Sequence, residues 1–503
     1  MKISFKYSYS GKDYIVNEPG DARVSFNVKY DDNHILVNLI NKLPIIIKHF
    51  SLEIDKSFYD ISKVYLNGWQ SWSTSKLYNL HEKVAKVGLL GLLANKHFGV
   101  KNYGDYNFIK YSRLYSHLYT YLLHNDDSIY LIGSKNELTG FSIFRLFPQK
   151  GKIVFEKDID NVSIFGNYEL ANIEMYEGEQ ESVFDHFFGE KVDAKEAGKL
   201  LKGYTSWYRH YQNIDEAKIL NDLKGFEESK INFNVFQIDD GYQQAVGDWL
   251  KIDKRKFPNG LDKIASRINK DNLTAGIWVA PFVAEATSDI YKLHKDWFCL
   301  DKKGHPLRAG GNWSGFYCLD IYNKDVRAYL TKVFRHYQQM GFKLFKLDFL
   351  YAACLSRREN KSRGEVMNDA MNFLRDVLKD SLILGCGLPL GAAFGKVDYM
   401  RIGPDVTLSW NDKWFMHHIN NERPSTLNAI NNTIARYHLD GRVFYNDPDV
   451  FVLRNSEDVS LTDDQKFKLF DANTSFGSVL FTSDDIALYT ETENKIIQKL
   501  INL

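Results

Sequence analysis

The chain has 503 residues, 15% of them aromatic, and its 64 Lys and Arg residues balance 64 Asp and Glu. That length is ample for a large core and suggests two domains. Balanced charge supplies no global field for nucleic acid or an anionic membrane, and neither is an expected partner.

The start, Met1-Lys2-Ile3-Ser4-Phe5-Lys6-Tyr7-Ser8, breaks its apolar residues with polar ones and has no signal-peptide core. From residue 1 to 188 the pattern is all-β. Apolar and polar residues alternate over 22–30 and 128–132, and Ser10-Gly11-Lys12-Asp13 and Asp31-Asp32-Asn33-His34 supply turns. Several such strands predict an N-terminal β-sandwich. The longest apolar run of this region, 87–94, contains two glycines and is far too short to cross a bilayer. Residues 189–199 are charged and helix-prone and read as a linker.

From residue 200 the texture changes to strand–helix alternation. Strands are predicted at 202–206, 234–239, 274–280, 344–349, 382–386, 399–402, 443–446 and 478–482, with helical patterns between most of them, as at 215–230 and 368–379. Eight strands alternating with helices predict an α/β fold, a (β/α)₈ TIM barrel over 200–503. The third connection, 280–344, is the longest and carries Gly304, Gly310, Gly311 and Gly315. A long loop on that face is where a pocket is shaped. Cys299, Cys318, Cys354 and Cys386 form no C-x-x-C pair and are too few for a disulfide scaffold, so a soluble, cytoplasmic protein is expected.

The strand ends carry the chemistry. The second ends Gln237-Ile238-Asp239-Asp240-Gly241-Tyr242. Two adjacent carboxylates there serve to coordinate a metal, to bind hydroxyls or to cap the next helix. No local cluster offers the further ligands a metal wants, so no metal or cofactor is expected. The third ends Gly276-Ile277-Trp278-Val279-Ala280-Pro281, bringing an indole near the mouth or into the barrel packing. In Leu344-Phe345-Lys346-Leu347-Asp348-Phe349, Lys346 and Asp348 share one face of a buried strand, which is costly unless they meet each other or a wet cavity. The sixth continues Arg401-Ile402-Gly403-Pro404-Asp405, a stiff turn holding an aspartate at the rim. Asp348 and Asp405, at two strand ends on one face, form the pair a glycosidase needs. Beside the Lys346 cation, Asp348 should stay ionised and act as nucleophile. In the field of Asp348, Asp405 should keep its proton and act as general acid.

Six motifs then become recognisable: Phe236–Tyr242, Gly247-Asp248-Trp249, Gly276–Phe282, Phe345–Phe349, Gly385-Cys386-Gly387 and Met400–Asp405. In order and spacing they resemble a melibiase, the α-galactosidase group of glycoside hydrolase clan D, most like family 36, over residues 202–485. The resemblance implies retaining, exo-acting hydrolysis of terminal α-D-galactosides such as melibiose or raffinose-type oligosaccharides. It puts the nucleophile on Asp348, the acid/base on Asp405, and sugar hydroxyls O4 and O6 on Asp239 and Asp240. Trp278, Lys346, Cys386 and Arg401 match positions lining the galactose site, and Trp207 matches the end of the first barrel strand. Asn67-Gly68-Trp69-Gln70-Ser71-Trp72-Ser73 resembles the segment that sends a tryptophan to the barrel mouth, by either Trp69 or Trp72.

Two departures from the family accompany this. A C-terminal β-domain is expected to be absent or vestigial, which leaves the oligomeric state open. The loops 300–315 and 406–422 follow no family pattern, and His417-His418 in the second read as solvated loop residues. The alternatives are α-N-acetylgalactosaminide cleavage or transglycosylation on the same scaffold, a non-catalytic carbohydrate-binding barrel, and a metal-dependent barrel enzyme.

Overall fold

The computed structural model describes all residues except 86, 107–112, 190–199, 230, 271, 357, 412–415, 421 and 503, together with the side chains of 96, 97, 417, 418 and 502. The expected linker beyond Gly189 and the side chains of His417 and His418 therefore lie outside the described residues.

The N-terminal half is one twelve-stranded antiparallel sheet. Its spine is the 22-residue strand His34–Asp55, which pairs with Lys2–Tyr9, Val24–Tyr30, Lys152–Lys157 and Ser163–Gly178. Side chains alternate along a strand, so Ile35, Val37, Leu39, Ile45 and Ile47 all point inward. Past residue 48 the inward set becomes Phe50, Leu52 and Ile54. A bulge opposite Lys6 and Tyr7 takes up the odd residue and turns the strand. The first hairpin closes through Ser10 and Gly11, both with positive φ, as a two-residue turn matching the strand twist requires. The sheet folds back on itself: the His117 amide donates to Asn67 O, joining strands at opposite ends of the hydrogen-bonded path.

Helix Gln180–Gly189 buries Val183, Phe184, Phe187 and Phe188 in a core that continues into the second half. That half is a parallel sheet of β1 (Leu201–Thr205), β2 (Val235–Ile238), β3 (Thr274–Val279), β4 (Leu344–Leu347), β5 (Leu382–Gly385), β6 (Tyr399–Arg401), β7 (Tyr445–Asp447) and β8 (Val479–Thr482). Neighbours follow chain order, and β8 returns to pair with β1. The Ser478 amide reaches Asn446 O at 2.9 Å and ties the approach to β8 to β7. All eight predicted strands are present. Each is short and largely buried, and β2, β3, β5 and β8 are predominantly apolar, the pattern of parallel strands covered by helices. The fourth stops at Leu347, two residues early, because Phe349 takes a left-handed φ of 53° and turns the chain.

Helices cover most connections, among them Glu216–Glu227, Lys324–Met340, Arg363–Leu378 and Thr426–Ala435. Between β5 and β6 there is only the turn Leu390–Ala392. The N-terminal sheet packs at this gap. Asn368 donates to Glu137 O, the Ser75 amide donates to Asn432 Oδ1, and Gln70 pairs with Pro389. The long third connection carries its own small sheet of Val283–Glu285, Arg308–Gly310 and Phe316–Cys318. No helix among the described residues is long and apolar enough to cross a membrane.

Candidate active site

The C-terminal ends of β2 and β4 carry the buried carboxylates Asp239 and Asp348, and the turn after β6 carries the partly exposed Asp405. Asp239, directly after β2, is 2% exposed. Its Oδ2 accepts from Lys346 Nζ at 2.9 Å, Gln237 Nε2 at 3.1 Å and Thr205 Oγ1 at 3.3 Å. Its Oδ1 accepts from the Asp240 amide. Of the two ways open to Lys346 and Asp348 on their shared face, direct pairing is not the one taken: the hydrogen-bonded partner of Lys346 is Asp239, two strands away, while Asp348 still acts on it through space. Burial pulls the Lys346 pKa down, but the Asp239 carboxylate, with Asp348 behind it, more than reverses this and keeps the ammonium charged.

Asp348 is oriented by two other donors. Trp278 Nε1 gives a 3.0 Å hydrogen bond to Oδ2, and the Phe349 amide a 2.8 Å bond to Oδ1. The left-handed turn at Phe349 is what aims that amide back at the carboxylate. Trp278 itself is 2% exposed, wedged edge-on between Trp249 and Trp313. It backs the carboxylate as part of the wall.

Arg401, at the end of β6 and buried, organises the opposite side. Its Nη1 donates to Asp405 Oδ1 at 2.9 Å, its Nε to Asp447 Oδ2 at 3.0 Å, and its Nη2 meets Asp449 Oδ1 at 2.9 Å. A planar guanidinium serves three carboxylates where an ammonium could not hold the same geometry. Asp405 keeps 42% of its side chain exposed. Its pKa is nonetheless raised, first by the surrounding protein taking water from it, while Arg401 and Lys346 oppose and Asp348 adds repulsion. Asp449 is likewise raised, by burial above all; it also accepts from Tyr208 OH and the Val406 amide.

Asp240 accepts from Gln243 Nε2 at 2.5 Å, Gln212 Nε2 at 2.8 Å and Trp313 Nε1 at 2.9 Å, and its own pKa is raised by burial. Trp207, Tyr211, Gln212, Asn312 and Trp313 line an open groove of about 570 Å³ that runs up to these Asp240 partners.

The two N-terminal tryptophans separate cleanly. Trp72 Nε1 points at Cys386 Sγ, 3.3 Å away, and its ring meets Phe349, Tyr351 and Tyr103 edge-on. Trp69 lies buried against Phe141 and under the Arg363 guanidinium, so its place among the site candidates is corrected: it packs the seam between the halves. Gly387, with φ 64°, allows the close approach of Trp72, since a Cβ there would lie 3.0 Å from the indole.

Among the described residues, no group of three or more His, Cys, Asp or Glu is placed to hold a metal ion. The carboxylates are compensated by Lys346 and Arg401 instead. Sequence reasoning missed Asp447, Asp449, Trp313, Gln212 and Gln243. The signal for the first two was present in Asp447-Pro448-Asp449, which repeats after β7 the proline-stiffened aspartate of Gly403-Pro404-Asp405.

Known proteins resemble this chain in sequence and fold. Residues 201–435 match the model of the glycosyl hydrolases family 31 TIM-barrel domain. α-Galactosidase AgaA of Geobacillus stearothermophilus is 33% identical over 135 residues, 25% of this chain and 18% of that protein. The chain thus aligns to about a fifth of that relative's length. In three dimensions, the α-galactosidase TtGalA of Thermus thermophilus, solved with p-nitrophenyl α-D-galactopyranoside, superposes with a TM-score of 0.76 at 23% identity, covering 99% of this chain and 94% of that one. The GH36 enzyme AgaA gives 0.63 at 15% identity, covering 95% and 67%. The barrel is of the glycoside hydrolase type.

Proposed function

We propose that this chain is a retaining exo-α-galactosidase of the family 36 kind, acting in the cytoplasm on α-galactosides of the melibiose or raffinose type. Its parts are an N-terminal sandwich (1–188), a linker (189–199) and a catalytic barrel (200–503). The observation that carries the reading is the unlike treatment of two neighbouring carboxylates at the strand ends. Asp348 is gripped by two N–H donors, whereas Asp405, within the field of Asp348, has a raised pKa and is partly exposed. Matched relatives named α-galactosidase, and a fold shared with TtGalA bound to stachyose, support the choice of sugar.

Asp348 Oδ attacks the anomeric carbon as Asp405 gives its proton to the glycosidic oxygen, and the aglycone leaves as an alcohol. The galactosyl group is then esterified to Asp348, whose negative charge is gone. Repulsion on Asp405 falls accordingly, and it takes a proton from water as that water's oxygen attacks the anomeric carbon. Bond and proton balance return both carboxyls to their starting states. Asp239 and Lys346, paired, offer an acceptor and a donor to adjacent sugar hydroxyls, and Asp240 with Trp313 offers a second such set. The Trp72 ring supplies an apolar wall for the C–H face.

The test is a panel of nitrophenyl α- and β-glycosides, N-acetylgalactosaminide included, with proton NMR following the anomer first released. Turnover of the α-galactoside with α-galactose formed first is expected. Turnover confined to another glycoside, or β-galactose first, would overturn the reading.

A further inference from the structure

Arg436 stands just past helix Thr426–Ala435 and is fully buried. Among the described residues its four hydrogen bonds all end on neutral oxygens. Nη1 donates to Ser71 O at 2.6 Å and to Ile402 O at 2.9 Å, Nη2 to Gln70 O at 3.1 Å, and Nε to Asn67 Oδ1 at 3.3 Å. Burying a guanidinium with only amide oxygens as its close acceptors and no carboxylate bonded to it is expensive, even with the Glu422 charge acting on it through space, and an apolar residue would fill the same volume at less cost. What the arginine supplies is a rigid fork reaching two separate pieces of backbone at once.

Those two pieces both lead to the site. Ser71 precedes Trp72, the wall, and Ile402 begins the Ile402-Gly403-Pro404-Asp405 turn that carries the proposed acid. One nitrogen, Nη1, bridges them. The rest of the 67–73 turn is tied down as firmly. Ser71 Oγ accepts from the Gly387 amide at 2.8 Å, the Ser71 amide donates to Leu388 O at 3.2 Å, and Gln70 Oε1 accepts from the Trp72 amide at 3.0 Å. Asn67, Gln70, Ser71 and Ser73 are all buried, which explains why a polar run sits in the middle of an apolar seam.

We infer that Arg436 is a positioning residue that sets the acid turn at Asp405 and the tryptophan wall at Trp72 in one frame. It makes the reach of the acid to the glycosidic oxygen depend on the docking of the N-terminal turn. This rests on the glycosidase reading of the site. Arg436 touches no sugar; it acts through the backbone at Ile402 and Ser71.

The experiment compares wild type, Arg436→Lys and Asn67→Leu, which removes the Nε acceptor together with the Asn67 bonds to His117 O and Ser75 Oγ, on aryl α-galactosides of graded leaving-group acidity. Melting curves are taken alongside. A displaced acid hurts only substrates that need protonation. We expect kcat/KM to fall on the order of 100-fold with poor leaving groups and less than about 5-fold with dinitrophenolate, consistent with the usual worth of general acid catalysis. The alkaline limb of the pH profile should shift with it, in Asn67→Leu to a smaller degree. Crossing Arg436→Lys with Trp72→Phe should give non-additive losses. A uniform loss across leaving groups in either variant, an unmoved pH profile, or additive losses would overturn the inference. Should Arg436→Lys fail to fold, Asn67→Leu alone decides by the same criteria. A wild type with no action on any α-galactoside would instead sink the glycosidase reading.

Discussion

Replacing Lys346 by methionine removes the cation from a 2.9 Å pair with Asp239, both groups almost wholly out of water. The lost attraction is about 6 kcal/mol at 2.9 Å for an effective dielectric near 20. Gln237, Thr205 and the Asp240 amide still donate to the orphaned carboxylate, so the net loss should fall in the range of about 3–5 kcal/mol known for broken buried pairs. With 503 residues at about 2.1 cal/mol/K each, the unfolding entropy is about 1 kcal/mol/K, and Tm should drop by about 3–5 °C. The decisive assay is the double variant Lys346→Met/Asp239→Asn, which has no buried charge left at this pair. It should melt above the sum of the single losses by a coupling of about 2 kcal/mol or more. Its kcat/KM should stay depressed by about 10-fold to 100-fold, the usual worth of a charged hydrogen bond to substrate. Additive melting losses within about 0.5 kcal/mol would refute the pairing argument. Recovery of activity along with stability would show that the pair has no part in holding the sugar.

Three further outcomes follow from the same geometry. Asp348→Ala should abolish turnover, and azide or formate should restore part of it by entering the vacated space; substantial residual activity that no anion enhances removes Asp348 from the nucleophile role. Because the Asp405 pKa is raised, the protonated acid persists above the ordinary carboxylate range and rates should fall as pH rises through that pKa. In Asp405→Ala this alkaline limb should vanish with dinitrophenyl substrate, whose turnover should survive far better than that of melibiose; equal losses contradict the assignment. His117 and His438 are buried neutral, with pKa values pushed down to about 3 by burial and nearby arginines. Their contribution to stability is whole above pH 6.5 and is lost as pH falls from there toward 3, about 2 kcal/mol each by pH 5. His438→Phe, giving up the 2.7 Å contact to Tyr119 OH, should flatten the Tm-versus-pH curve between 6.5 and 4, and an unchanged slope would count against this account.

Most barrel strands were legible because parallel strands buried on both faces read as short apolar runs between turn residues, while the mixed strands Leu201–Thr205, Tyr399–Arg401 and Tyr445–Asp447 were placed by the strand–helix alternation around them. The hydrogen-bonded partner of Lys346 was not legible for a geometric reason. Sequence reveals which residues share a face of one strand, as Lys346 and Asp348 do, but a lysine is long enough to reach a carboxylate beyond the neighbouring strand. Asp447 and Asp449 were passed over because the seventh strand was ended at residue 446, one short of the first of them. Trp313 left no periodic trace: it sits with φ 53° in a loop among glycines, and only the folded loop carries its indole to Asp240. The choice between Trp69 and Trp72 depends on which face of an interdomain turn each occupies, and that is fixed by partners more than 300 residues away.

The missing helix between β5 and β6 bears on whether the two halves are separable. An ordinary eightfold barrel wraps every strand pair in its own helix and so can stand alone. Here the sheet formed by the first part of the chain fills the vacancy, tied to helices Arg363–Leu378 and Thr426–Ala435 on either side of it. Excising that sheet would strip the outer cover from β5 and β6 and leave Arg363 without Asp105 and Asp158. The modules that a reader would mark on the sequence are thus not units of cooperative unfolding, and swapping the first part between relatives would require carrying its whole contact surface.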